Sequence, residues 1–351
     1  MFKKSPIIPT FTEHPIVSMH IPAKTLADLE FPEVLEQLAA RCITEAGAEA
    51  ATKIGPIKEE ELILNSLGKT KEYLDSFELD TVIPNHGFDA LDDQLSLLGI
   101  ENTSLEVDGF RRILSICQTG TLHLKFFKKQ KLIYPLWAEE TAKLEDAKHI
   151  IEEIKMIIDR FGEIRDDASQ ELKDIRKNIQ NVRSKLNQSF TSALNRYKAQ
   201  DYLDEIREST VDNKRVLAVK AMYRKKVKGS VLGSSKTGSI VFIEPDAVMQ
   251  HSRTLNNLIF DEQEEIRRIL KALTEYVRPF APVLVQYVTF LTQMDICSAK
   301  AKYAKELNAV LPKINEEKKL YLKDAYHPLL YLSNKQNKEK TWPQSLEFHP
   351  E

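Results

Sequence analysis

Between Gly162 and Gly229 the chain contains neither glycine nor proline, and this gap restricts the possible folds more than any other feature. A stretch of that length without the two residues that most readily turn or break the backbone favours long helices. Within it Leu172, Ile175, Ile179, Val182 and Leu186 are spaced 3, 4, 3 and 4, the alternation that keeps one apolar seam along a coiled coil. Phe190, Leu194 and Tyr197 continue the seam with its phase slipped by one, a stutter. Upstream, Ile150, Ile154, Ile157, Phe161 and Ile164 form an earlier spine, and Asp167 to Gln170 reads as a helix start with an Asp-x-x-Gln box. A second seam follows downstream: Leu255, Ile259, Ile266, Ile269, Leu273, Tyr276 and Phe280, with Glu262 filling one slot. Two long amphipathic helices flanking a short insert predict an antiparallel coiled-coil arm. About 34 residues per helix would reach on the order of 50 Å.

The insert, Ser209 to Pro245, changes period. Arg215-Val-Leu-Ala-Val-Lys220 and Ile240-Val-Phe-Ile243 read as strands, with glycines 229, 233 and 238 between them, so a small antiparallel sheet is expected at the tip of the arm. The charge is concentrated here. The whole chain has 50 Lys plus Arg against 52 Asp plus Glu, which excludes a uniformly basic nucleic-acid coat protein. From Arg207 to Gly238, however, nine bases face only Glu208 and Asp212, a local surplus of seven. A basic, glycine-bearing hairpin region suits phosphate-backbone contact, because each lysine or arginine can displace a condensed counterion. The candidate binding residues are Lys214, Arg215, Lys220, Arg224, Lys225, Lys226, Lys228 and Lys236. A merely solvated tip is the plain alternative, since exposed lysines are ordinary surface residues.

The rest of the chain completes a mainly α reading. Residues 1–24, with four prolines, form an expected extended arm. Residues 25–142 form an expected helical core domain: the pattern is helical from Thr25, with Leu26, Leu29, Val34, Leu35 and Leu38 on one apolar face, continues through Glu45 to Lys53, and is followed by helices at Glu59 to Ser76 and Ser104 to Phe127. Residues 143–208 make a lever and ascending helix, 209–245 the basic β tip, 246–305 the descending helix, and 306–351 a return to the core.

Several functions find no support. Gly233-Ser-Ser-Lys-Thr-Gly238 lacks the terminal Gly-Lys-Ser/Thr of a phosphate loop and opens no helix, so a hairpin turn is expected there. The eight histidines show no HxxxH spacing and a single HxE, His349 to Glu351, with no CxxC to complete a site, since Cys42, Cys117 and Cys297 lie far apart, which leaves a metal site unsupported. The acidic runs at Glu59 to Glu61 and Asp261 to Glu265 read as solvated helix faces. No apolar run reaches the ~18 residues of a membrane span. No leader is recognisable, so a cytoplasmic protein with no membrane partner is expected.

The order helical core, long arm, basic β tip and return helix resembles the MutS family of DNA mismatch-repair ATPases. The residues point to its second bacterial, anti-recombination branch. Leu29-Glu30-Phe31 with Val34 and Leu35 is similar to that branch's opening helix. Gly162-Glu-Ile with Asp166, Ala168, Ser169, Glu171 and Leu172 is similar to the segment leading into its arm. Arg215-Val-Leu-Ala-Val-Lys220, Tyr223-Arg224 and Gly238 through Phe242-Ile243-Glu244-Pro245 resemble its tip, and Ala325-Tyr-His-Pro-Leu-Leu330 the segment just before its ATPase domain. Ala218 stands where the branch usually has proline, and Leu232-Gly233 where it usually has His-Asp.

The resemblance implies core, lever and clamp regions without the ATPase and nuclease domains, and therefore no catalytic residue and no cofactor held by this chain. ATP and Mg are implied for the full-length protein. It further implies an ATP-hydrolysing homodimer, joined mainly through the ATPase domain, that acts on branched or recombination DNA. An alternative partner is ribosomal RNA during rescue of stalled ribosomes. A purely structural coiled-coil module is the rival from a different class.

Overall fold

The computed structural model describes residues 21–315 and 319–349. It is 60% helical, as the scarcity of glycine implied. The elements run α1 (Ala23–Asp28), α2 (Phe31–Ala39), α3 (Glu45–Thr52), α4 (Glu60–Asp75), α5 (Asp92–Leu98), α6 (Val107–Lys129), α7 (Pro135–Thr141) and α8 (Lys148–Ile157). There follow α9 (Gln170–Ala199), β1 (Leu203–Val211), β2 (Lys214–Lys220), β3 (Gly229–Ser234), β4 (Ile240–Pro245), α10 (Asp246–Val277), α11 (Ala281–Leu307), β5 (Leu320–Ala325), α12 (Pro328–Asn337) and β6 (Gln344–Phe348). The expected extended segment 1–24 lies outside the described residues as far as residue 20. Pro22 is the N-cap of α1, with φ −56°, so the backbone is already helical at Ala23 and Lys24.

The chain divides into two compact units, residues 1–155 with 274–351 and residues 156–273. In the first, α11 is the central helix. Phe290, Leu291 and Thr292 are buried in succession, as are Cys297, Ser298 and Ala299, so it is covered around most of its circumference rather than along one stripe. By length and composition an 18-residue window between Asp246 and Leu307 could cross a bilayer, but half of it is buried inside the protein. Asp295 is fully buried on α11 and accepts hydrogen bonds from Ile43 N (3.0 Å), Thr44 N (2.9 Å), Thr44 Oγ1 (2.6 Å) and His86 Nε2 (3.2 Å). Thr44 in turn caps α3 by accepting from Gly47 N. One carboxylate thus ties α11 to the start of α3. Burial pushes the Asp295 carboxyl up, but the bonds from His86, Thr44 and Ile43 outweigh it and hold the group below its ordinary value.

In the second unit α9 and α10 run antiparallel, joined by Ser169 Oγ donating to Glu265 (2.6 Å) and Arg176 Nε donating to Glu262 (2.7 Å). The latter pair explains the acidic slot in the second apolar seam. Arg176 also donates to the Ile164 carbonyl at 2.8 Å. Leu172 and Ile179 are buried, whereas Ile175, Val182, Leu186, Leu255 and Ile259 are only half-buried, because two helices cannot enclose a seam. Two sequence expectations change here. Ser169, not Asp167, caps α9, accepting from Leu172 N; Asp167 is held by Arg165 at 3.0 Å. The earlier spine is not continuous either. Helix α8 stops at Ile157, Ile158 and Ile164 pair across a turn, and Phe161 is 70% exposed beneath the Arg160 guanidinium.

The four strands form one antiparallel sheet in the order β1-β2-β4-β3. Asp212 and Asn213 both have positive φ, 48° and 60°, the two-residue turn that suits the right-handed twist of a hairpin. Leu217 pairs with Ile243 and Val219 with Val241, and these four side chains form one buried cluster with Phe190, Ala193 and Tyr197 of α9 and Val248 of α10. Gly229 permits the close approach of β3 to β4: a Cβ there would lie 2.2 Å from the Glu244 carbonyl oxygen.

Candidate nucleic-acid interface

Sheet connectivity dictates where the basic residues go. Strands β2 and β3 both run antiparallel to β4, which lies between them, so they are parallel to each other and residues 221–228 must cross the sheet to connect them. The crossing is a 3-10 turn, Ala221–Lys226, followed by Val227, which is buried in the Phe190–Leu217 cluster. With Val227 turned inward, Arg224, Lys225, Lys226 and Lys228 are exposed. The crossover starts beside the β3–β4 turn, where Ala221 N donates to Ser239 O at 2.9 Å. That turn is the Gly-Ser-Ser-Lys-Thr-Gly loop. Ser235 N donates to Ile240 O at 2.9 Å, Gly238 takes a φ of 70°, and Lys236 is exposed. The loop is a hairpin turn between antiparallel strands and opens no helix.

The eight sequence candidates divide into two groups. Lys214 Nζ donates to the buried carboxylate of Glu244 at 2.9 Å, and Lys220 Nζ to Asp201 at 3.0 Å. Arg215 donates to Glu208 at 2.7 Å and to Asn187 at 3.2 Å, with its guanidinium 4.2 Å above the Phe190 ring. These three are strand residues whose charges are met inside the protein. Arg224, Lys225, Lys226, Lys228 and Lys236 have no ion pair or side-chain hydrogen bond to another described residue. All five lie in the crossover and the hairpin turn. Arg207 is exposed as well, at the β1 bulge with φ 60°.

The sequence reading missed an aromatic feature beside these cations. The Tyr197 and Tyr202 rings lie 6.4 Å apart at 27°, and those of Tyr202 and Tyr223 lie 4.7 Å apart at 26°. Lys226 Nζ stands 6.0 Å from the Tyr202 ring. Tyr197 was legible only as a seam position and Tyr223 only as part of a tip motif. The usable signal was a tyrosine next to a run of three bases, since aromatics among bases are what single strands stack on.

Among the described residues no three His, Cys, Asp or Glu side chains converge to hold a metal. Burial pushes the Cys42 and Cys117 thiols up to about 12, so neither supplies a thiolate near neutral pH. A shallow depression on α9 is lined by Asn187, Gln188, Thr191, Ser192 and Asn195, polar but uncharged.

No protein-family profile matches the sequence. The chain is 30% identical over 313 residues, 88% of its length, to the Endonuclease MutS2 of Ligilactobacillus salivarius, and 30% identical over 313 residues to that of Lactobacillus helveticus. It is 30% identical over 328 residues, 92% of its length, to the Endonuclease MutS2 of Lactobacillus acidophilus. It spans about 39% of the length of the first two and 40% of the third. A match over 88–92% of the chain takes in the α9–sheet–α10 unit and most of the helical unit, and over that region the chain is similar to the second bacterial branch of the MutS family.

Proposed function

We propose that the four-stranded sheet grips the phosphate backbone of DNA through Arg224, Lys225, Lys226, Lys228 and Lys236. The observation that carries this reading is the division of the cations: the strand bases are neutralised internally, while five exposed ones on the crossover and turn make no ion pair with a described residue. Unpaired cations held on a packed sheet are what a polyanion needs, and they steer it at long range. The relatives' name, Endonuclease MutS2, fits a nucleic-acid substrate. In the whole protein we read the sheet as a clamp on branched or recombination DNA, with two copies in a homodimer closing on one duplex. ATP and Mg would act there, away from this sheet.

Fluorescence anisotropy of a labelled duplex over a salt series tests the reading. Five phosphate contacts give a log–log slope near −4.5, at about −0.9 per contact. A binding constant that does not change between 50 and 200 mM salt would defeat it. A parallel series with duplex RNA compares the two partners directly, because phosphate contacts alone do not tell one nucleic acid from the other.

A further inference from the structure

We infer that Tyr223 is the outer end of an aromatic stack that takes an unpaired base of single-stranded DNA. This deepens the proposed phosphate contact and rests on it for the cations. The stack runs outward from the core. Tyr197 is buried at 7% exposure and its hydroxyl accepts from Lys228 N at 3.2 Å. Tyr202 lies on it at the α9–β1 junction, and Tyr223 lies on Tyr202 from the 3-10 turn. Tyr223 is half-buried, and no further ring covers it among the described residues. Its neighbours in the turn are Met222, 78% exposed, and Arg224, also exposed. Both rings pack against the Phe190–Leu217 cluster, and neither the Tyr202 nor the Tyr223 hydroxyl hydrogen-bonds to a described residue. Phosphate binding by itself explains the cations but gives no reason for a stacked ring in their midst. Inside a duplex every base face is already covered, so only a strand with unpaired bases can extend the stack. Base–aromatic stacking tolerates any sequence, as a backbone-binding protein requires.

The test uses the 351-residue chain with a 20-nucleotide deoxyadenosine strand carrying one 2-aminopurine, and with a blunt duplex. Replacing Tyr223→Leu keeps the bulk but removes the ring. It is expected to weaken single-strand binding about 5- to 150-fold and to abolish the 2-aminopurine change, in line with the cost of losing one stacked base. Duplex affinity and the salt slope should stay as in the unaltered protein, and Tyr223→Trp should retain single-strand binding. Equal losses on both ligands, or none on the single strand, would overturn the inference. Because Tyr223→Leu could loosen the turn, the unaltered protein provides a second reading. Photocrosslinking to a strand containing 5-iododeoxyuridine should map to Tyr223, and crosslinks at lysines alone would sink the stacking. The two readings fail separately. A flat salt series with a Tyr223 crosslink removes the phosphate contact, while a steep series without one removes only the stack.

Discussion

Replacing Arg224, Lys225, Lys226 and Lys228 together by Ala should remove most of the salt dependence of duplex binding, while replacing Lys214, Arg215 and Lys220 by Met should leave it unchanged. The contrast follows from which carboxylates the second group already meets. With five phosphate contacts, affinity should fall about 500-fold between 50 and 200 mM salt. With Lys236 alone remaining, the fall should be only about 3- to 4-fold. The stability changes run the other way. The four exposed residues should each move stability by no more than about 0.5 kcal/mol. Removing Lys214 strands the buried Glu244 carboxylate, a cost of about 1–3 kcal/mol, and the two more exposed pairs add about 0–1 kcal/mol each. Anisotropy over a salt series together with urea denaturation of each variant reads both quantities. An unaltered slope in the four-Ala variant would refute the reasoning, and so would a flattened slope in the Met variant with its fold intact.

Two further substitutions probe one packing constraint in each unit. Asp295→Ala leaves Ile43 N, Thr44 N, the Thr44 hydroxyl and His86 without their shared acceptor, and should cost about 3–5 kcal/mol in the helical unit, read by circular dichroism in urea. Because the folded Asp295 carboxyl lies below its ordinary value, its contribution is complete above the unfolded pKa of about 3.9 and is lost as pH falls through the folded value; a gap between the two proteins that persisted unchanged far below pH 3 would count against this. Gly229→Ala pushes a Cβ to 2.2 Å from the Glu244 carbonyl oxygen, whereas a Cβ at Gly233 meets nothing nearer than the Phe242 ring at 3.9 Å. The first should lower the melting temperature of the sheet unit by several degrees and the second barely change it, and equal shifts would show that the β3–β4 approach is not the constraint.

The paired helices were legible because period is a local property: a 3, 4, 3, 4 spacing survives whatever the rest of the chain does. The start of the sheet was not. Strand β1 begins at Leu203, inside a stretch that charge alone reads as helix, since Asp204, Glu205, Arg207 and Glu208 hide its alternation. An edge strand can carry such charges, and they discourage further strand pairing. The Asp212-Asn213 turn was a usable signal for the hairpin. The short helices α5 and α7 offer too few turns for a period to show.

Charge counting failed for a related reason. The surplus of seven holds from Arg207 to Gly238, yet Asp201 and Glu244, which neutralise Lys220 and Lys214, lie just outside that window. Widening it to residues 201–244 brings six acids against the same nine bases. No window, however, says which cation meets which acid; strand register does. Lys214, Arg215 and Lys220 lie on β2, the strand between β1 and β4, where a neighbouring strand or the end of α9 can supply a carboxylate. The crossover and the β3–β4 turn have no strand on their outer side, so their bases keep their charge for an external anion. The topology that forces residues 221–228 across the sheet therefore also selects which lysines remain available to bind.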